Sequence, residues 1–376
     1  MFSILDSIKE VFKTAHKGPV LGIDIGSSSI KVVVLEKVEE KIVLRNYGEL
    51  VLGPRAGFSS GQSTNLSPEK IAQALMDLIK EAGITAEHTL IAIPFSASLL
   101  AVVELPDVGD KNLDSMILIE ARRYIPVPIN EVSLDWWVLP KDIDTSKVKI
   151  VGDAPVTKVR GNIEVIIAAI HNEVIKKYEL IKKSAQISEE RSHFEIEIFS
   201  TLRAVLGRDL SAVLVVDIGA GSTKLALVDK GIVRGSHVIS MGGQDITIAL
   251  TRSKSISFER AEEIKCTVGM IGESEGRDVL VVSELILANI MNEAARFSDN
   301  YERKYQKSVT KIILVGGGAR LKGIVEIAAK NFPHATVTLG DPFARVETPA
   351  FLDATLKEIS PNFAVAMGVA LKGLEE

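Results

Sequence analysis

The feature that most constrains this chain is a short segment that occurs twice. Ile23-Asp24-Ile25-Gly26-Ser27-Ser28-Ser29-Ile30-Lys31 matches, given one small length adjustment, Val216-Asp217-Ile218-Gly219-Ala220-Gly221-Ser222-Thr223-Lys224. In each copy an apolar run (Val20 to Ile25, Val213 to Asp217) meets a glycine turn and continues into a second apolar run (Ile30 to Leu35, Lys224 to Val228). That pattern predicts strand, turn, strand. Each copy also opens a meander, because a third strand is predicted at Ile42 to Tyr47 and at Ile232 to Ser240. A duplicated α/β half-domain follows from the recurrence.

The turn chemistry favours an anion. A glycine has no side chain to keep backbone N–H groups away from a phosphate. Ser27, Ser28 and Ser29 add hydroxyl donors, and Lys31 shares a strand face with Ser29. The turn leads into a strand, which excludes the dinucleotide and P-loop arrangements, where the loop opens a helix. One such hairpin alone reads more readily as a polar turn between strands. Two can face each other across a cleft and hold one phosphate chain from both sides. Asp24 and Asp217 would then sit near Mg²⁺, an ion that keeps several of its waters and is held by carboxylates mostly through them.

A third motif is Ile312-Ile313-Leu314-Val315-Gly316-Gly317-Gly318-Ala319-Arg320-Leu321, a strand running into a glycine turn with a helix predicted from Arg320. It reads as a surface for a nucleotide base or sugar, or as a tight strand–helix connection. It lacks the last glycine of the dinucleotide fingerprint.

The rest of the 376-residue chain narrows the class. The net charge of −5 argues against a broad nucleic-acid surface. A single cysteine, Cys266, allows no internal disulfide, and the six histidines lack zinc-site spacing. No stretch reads as a transmembrane helix, and Asp6, Lys9 and Glu10 interrupt any signal-peptide core. These points place the chain in the cytoplasm. Residues 1–17 carry Phe2, Leu5, Ile8 and Phe12 at helical spacing; such a segment packs on its own domain, or on a membrane or partner. Leu52 to Pro68, rich in Gly, Ser and Pro, reads as a loop, and Lys141 to Asn162 as a polar connection.

Three motifs in this order resemble the superfamily of actin, the heat-shock chaperones and the sugar kinases. The fold implied is α/β, an actin-like (ribonuclease H-like) duplication with a small α+β subdomain inserted. Glu120-Ala121-Arg122-Arg123-Tyr124-Ile125-Pro126-Val127-Pro128-Ile129, followed by Asp135-Trp136, resembles the inserted domain of the PilM family of type IV pilus assembly proteins. Gly242-Gly243-Gln244-Asp245-Ile246-Thr247 and Ala261-Glu262-Glu263-Ile264-Lys265 are similar to the start of subdomain 2B in that family and in the division protein FtsA.

The resemblance implies ATP with Mg²⁺ as ligand. Asp24, Gly26, Ser27, Ser28, Ser29 and Lys31 match the first phosphate motif; Asp217, Gly219, Ala220, Gly221, Ser222 and Thr223 match the second. Gly316, Gly317, Gly318 and Arg320 match the adenosine motif, with Gly242, Gly243, Glu262 and Lys265 around ribose and base. Asp24 and Asp217 are the metal candidates. Glu197, expected just before a helix at Phe199 to Leu206, is the candidate for orienting an attacking water. The implied division is 1–17; 18–89 with 186–210 as subdomain 1A; 90–185 as inserted 1C; 211–241 with 310–376 as 2A; and 242–309 as 2B.

The implied partner is the cytoplasmic N-terminal tail of a PilN-type inner-membrane protein. It would lie near Ile91 to Val103 and the Tyr124 to Pro128 turn, bringing the protein to the membrane only through that partner. Self-association is a further expectation. Two other readings stay open: an FtsA-like division scaffold, disfavoured by a C-terminus without a basic amphipathic helix, and a small-molecule kinase, for which no substrate base is evident.

Overall fold

The computed structural model describes residues 18–86, 88–107, 110–139, 162–271 and 275–375. The segment expected at 1–17 and all but Asn162 of the connection expected at Lys141 to Asn162 lie outside the described residues; Asn162 opens a strand.

Two five-stranded sheets repeat one topology. In the first, β1 (Val20–Ile25) pairs antiparallel with β2 (Ser29–Val38), which pairs antiparallel with β3 (Lys41–Val51). On its other side β1 runs parallel to β4 (His88–Ile93), and β4 parallel to β8 (Ser192–Ile196). The second sheet has the order β11 (Ile232–Ile239), β10 (Thr223–Asp229), β9 (Val213–Ile218), β12 (Lys311–Val315), β13 (Thr336–Leu339), with the same sequence of directions. All six residues of β1 and all six of β9 are buried, as strands covered on both faces require.

The two hairpins coincide in register. Asp24 faces Lys31 across β1 and β2, and Asp217 faces Lys224 across β9 and β10. Gly26 N–H donates to Ser29 O at 3.0 Å, and Gly219 N–H to Ser222 O at 2.9 Å. The length adjustment expected between the copies is therefore not needed.

The inserted unit is narrower than 90–185. β4 belongs to the first sheet through its parallel register with β1. The helix α3 (Asn172–Ser184) packs on α1 (Pro68–Glu81), burying Tyr178 and Ile181 in the first half's core. What remains is an antiparallel sheet of β5 (Ser98–Pro106), β7 (Asn162–His171) and β6 (Val132–Val138), with α2 (Asp110–Ala121) on one face. Its other face joins the first half, where Trp137 stands 5.4 Å from the Phe199 ring. Tyr124 and Ile125 N–H groups both donate to Ala121 O, closing the helix where Pro126 prevents another turn.

Helices are exchanged between the halves. The helix α4 (Glu197–Leu206) follows β8 directly. Its Ile198 and Leu202 share one buried cluster with Val213, Val215, Ile313 and Val315 of the second sheet. The final helix α10 (Ala364–Glu375) follows the second sheet but packs on β1, β2 and β4. Val365 and Val369 meet Val20 and Leu90 there. Chain order alone would leave α10 with 310–376; packing moves it to the first half. At the α4–α10 crossing a Cβ on Gly368 would fall 1.7 Å from Ser200 O, so only glycine lets these helices approach.

The second half also carries α5 (Gly243–Lys254), α6 (Phe258–Thr267), α7 (Glu275–Tyr305), α8 (Ile324–Asn331) and α9 (Asp353–Ile359). Arg320 does not open a helix; Gly317–Arg320 is a 3₁₀ turn and α8 starts at Ile324. Among the described residues, no helix is long and apolar enough to cross a membrane.

Candidate functional site

The two hairpins face each other across a cleft of about 510 Å³, and the glycine turn after β12 forms a third wall. Each expected site residue lines this cleft except Thr223. Thr223 is fully buried, and its hydroxyl donates to Met241 O at 2.8 Å, which makes it a brace for the hairpin.

At the first hairpin, Lys31 Nζ donates to Ser29 Oγ at 2.9 Å and stands 3.8 Å from both Asp24 and Glu49. Ser29 Oγ in turn donates to Glu49 Oε1 at 2.7 Å. At the second, Lys224 Nζ lies 3.5 Å from Asp217 Oδ2 and donates to Glu197 Oε1. The other oxygen of Glu197 accepts the Phe95 N–H at 2.9 Å. Glu197 is the first residue of α4 and is buried, so it is held at both oxygens.

Burial pushes the Asp24 carboxyl up to about 6, with Lys31 opposing and Glu197 adding to the rise. Burial likewise raises Asp217, against the pull of Lys224. Burial alone would lower Lys224, but Asp217 and Glu197 outweigh it and hold the ammonium well above its ordinary range. Two buried carboxylates shifted upward mark a place short of positive charge. A hydrated divalent ion arriving with a phosphate chain fits that deficit. Among the described residues there is no cluster of three or more side chains able to cage a metal alone. Asp24 and Asp217 are the carboxylates that would hold such an ion.

The start of α5 is seated on the second hairpin. Gly243 and Gln244 N–H groups donate to Gly219 O and Ala220 O at 2.8 and 2.9 Å, and Asp245 accepts from Gly242 N–H. Lys265 Nζ donates to Glu262 Oε2, Thr247 Oγ1 and Gly243 O at 2.7, 2.8 and 3.1 Å. The i, i+3 pair of α6 is thus a half-buried polar knot on the cleft wall. Gly316, at φ 83°, abuts Asp217; a Cβ there would fall 2.3 Å from Oδ1. Arg320 pairs with Glu358 at 3.2 Å.

Sequence reasoning missed Lys224, Glu49, Gln244 and Asn362, all on the cleft wall. Lys224 carried a signal, since it repeats Lys31. Glu49 sits opposite Lys31 in register, and Asn362 reaches it at 3.1 Å; neither has a local motif. Glu195, two residues before Glu197, is tied instead to Arg203 at 2.7 and 2.8 Å.

A profile of the type IV pilus assembly protein PilM family matches residues 22–374. The chain belongs to the PilM family. It is 28% identical over 370 residues to the cell division protein FtsA of Neisseria meningitidis serogroup B, covering 88% of this chain and 87% of that protein. In three dimensions it is similar to a PilM–PilN type IV pilus biogenesis complex chain, with TM-score 0.77, 24% identity, and coverage of 96% and 100%. It is also similar to MreB5 of Spiroplasma citri bound to AMPPNP, with TM-score 0.50, 14% identity, and coverage of 95% and 96%. The family places the chain in type IV pilus assembly, and the structural likenesses show an actin-like fold.

Proposed function

We propose that this protein is a scaffold of type IV pilus assembly, working at the inner face of the cell membrane, whose cleft binds ATP with Mg²⁺ to set the angle between its halves. The observation that carries this reading is the identical register of the Asp–Lys pairs in two hairpins that line one cleft. Lys31 and Lys224 supply charge for a phosphate chain, and Asp24 and Asp217 the outer ligands of its cation. The ion would offset the charge that builds up on a phosphate chain. Glu197 is occupied by Lys224 and Phe95, which supports slow turnover rather than rapid hydrolysis.

The inserted sheet is proposed to hold a PilN-type cytoplasmic tail, supported by the likeness to the PilM–PilN chain. Ile91, Ile93 and Phe95 are buried in the first core, so of the 91–103 stretch the accessible run Ser96 to Val102 is the part able to contribute.

Titration calorimetry tests the cleft. Wild type should bind ATP·Mg²⁺, and Asp217→Ala should weaken binding by at least about tenfold, the scale of one lost charged contact. Unchanged affinity in a folded variant would remove the cleft from the proposal.

A further inference from the structure

Residues 53–65, between β3 and α1, form neither a free surface loop nor part of either sheet. Both ends are pinned to the first hairpin. Leu52 N–H donates to Ser28 O and Thr64 N–H to Ser27 O, each at 2.8 Å. The middle crosses the cleft to the other half. Ser63 N–H donates to Gln244 Oε1 at 3.0 Å, and Ser59 Oγ to Glu259 Oε1 at 3.2 Å. Gly61, at φ 82°, lies so close to Glu262 that a Cβ would come within 2.4 Å of its carboxylate. Gly221, at the tip of the second hairpin, is likewise packed against Ser63, 3.1 Å from its hydroxyl to an added Cβ. Gly61 lines the cleft, and Ser59 and Gly61 through Thr64 are half-buried, although they belong to no strand or helix.

We propose that this segment is a strap that closes the nucleotide cleft and governs how fast nucleotide leaves. It rests on the nucleotide reading above. The chemistry is economical. Phosphate on Ser27 to Ser29 fixes the base of the strap, because Ser27 and Ser28 supply its anchoring carbonyls. The tip then joins α5 and α6, whose residues Gly243, Glu262 and Lys265 line the wall assigned to ribose and base. Leaving the cleft requires the Ser63–Gln244 and Ser59–Glu259 bonds to break, or the two halves to part. Two hydrogen bonds and two packed glycines suit a gate that opens often. Lids of this kind commonly limit release in nucleotide enzymes.

The test is stopped-flow release of a fluorescent mant-ATP·Mg²⁺ complex from the full chain. Gly61→Ala strains a left-handed residue and pushes on Glu262; release should speed up about tenfold, with association changed far less. Ser59→Ala removes one bond outside the cleft wall and should accelerate release about two- to fivefold, the worth of one modest hydrogen bond. Because Ser59 does not line the cleft, its effect cannot come from lost nucleotide contact, and the variant leaves the core intact. Release unchanged in both variants, with normal wild-type binding, overturns the strap. A wild-type chain with no mant-ATP signal overturns the nucleotide reading and the strap together.

Discussion

The two hairpins share sequence pattern and register yet hold their lysines differently. Lys31 is satisfied within its own sheet, by Ser29 on the same strand and Glu49 on the next. Lys224 is satisfied from the other half, by Glu197 at the start of α4. The first hairpin is therefore a local device and the second a clamp between halves. Glu197 extends that clamp, since its second oxygen holds the Phe95 N–H where the chain leaves β4 for the inserted sheet. A phosphate chain that draws Lys224 away from Glu197 would loosen a contact reaching both the second half and the root of the inserted unit. The corresponding change at Lys31 would stay within one sheet.

The largest break in this comparison should come from Lys224→Met. It leaves Glu197 and Asp217 buried without their cation, and urea denaturation should show a loss of about 2–4 kcal/mol. Lys31→Met should cost about 1–2 kcal/mol, because its carboxylates stand farther off and Glu49 is only partly buried. Equal losses would end the distinction between clamp and local device.

Asp24→Asn makes stability respond differently to pH. The folded-state carboxyl is raised from 3.8 to about 6, so the folded protein holds its proton more tightly than the unfolded chain. This group's contribution to stability is present at low pH and is lost as pH rises through about 6. The variant should therefore gain about 1–3 kcal/mol over wild type at pH 7, and nothing below pH 4. A gain that does not depend on pH would mean burial of Asp24 is not the cause. By the same titration, ATP·Mg²⁺ binding by wild type should weaken as pH falls below about 6, and Asp24→Asn should flatten that dependence. Calorimetry at pH 5.5 and 7.5 checks it.

The smallest effect is expected at Ser29. Ser29→Ala removes the link between Lys31 and Glu49 and should cost about 1 kcal/mol in a thermal melt. A loss larger than that of Lys31→Met would make the serine, not the lysine, the centre of the first hairpin.

Much of the site was legible because its signals are local. An Asp one residue from a glycine turn, with a lysine on the returning strand, is set by strand periodicity over nine residues. The three glycine turns were found the same way. Thr223 was misplaced because strand alternation fixes which face a residue takes but not which face meets the cleft. Arg320 was placed in a helix because three glycines conceal where a 3₁₀ turn ends. The edges of the inserted unit were misjudged for a similar reason, since β4 and α3 look alike whichever sheet they join.

The duplication, the three turns and the family are legible in the chain because each is written in contiguous residues. Tertiary structure alone decided how the halves are joined. Lys224 meets Glu197 across 27 residues, and Ser63 meets Gln244 across 181. The final helix α10 lies on the sheet at the far end of the chain from itself. Contacts at such separations depend on how buried faces and unpaired polar groups find partners once both sheets exist, and no local pattern specifies that choice.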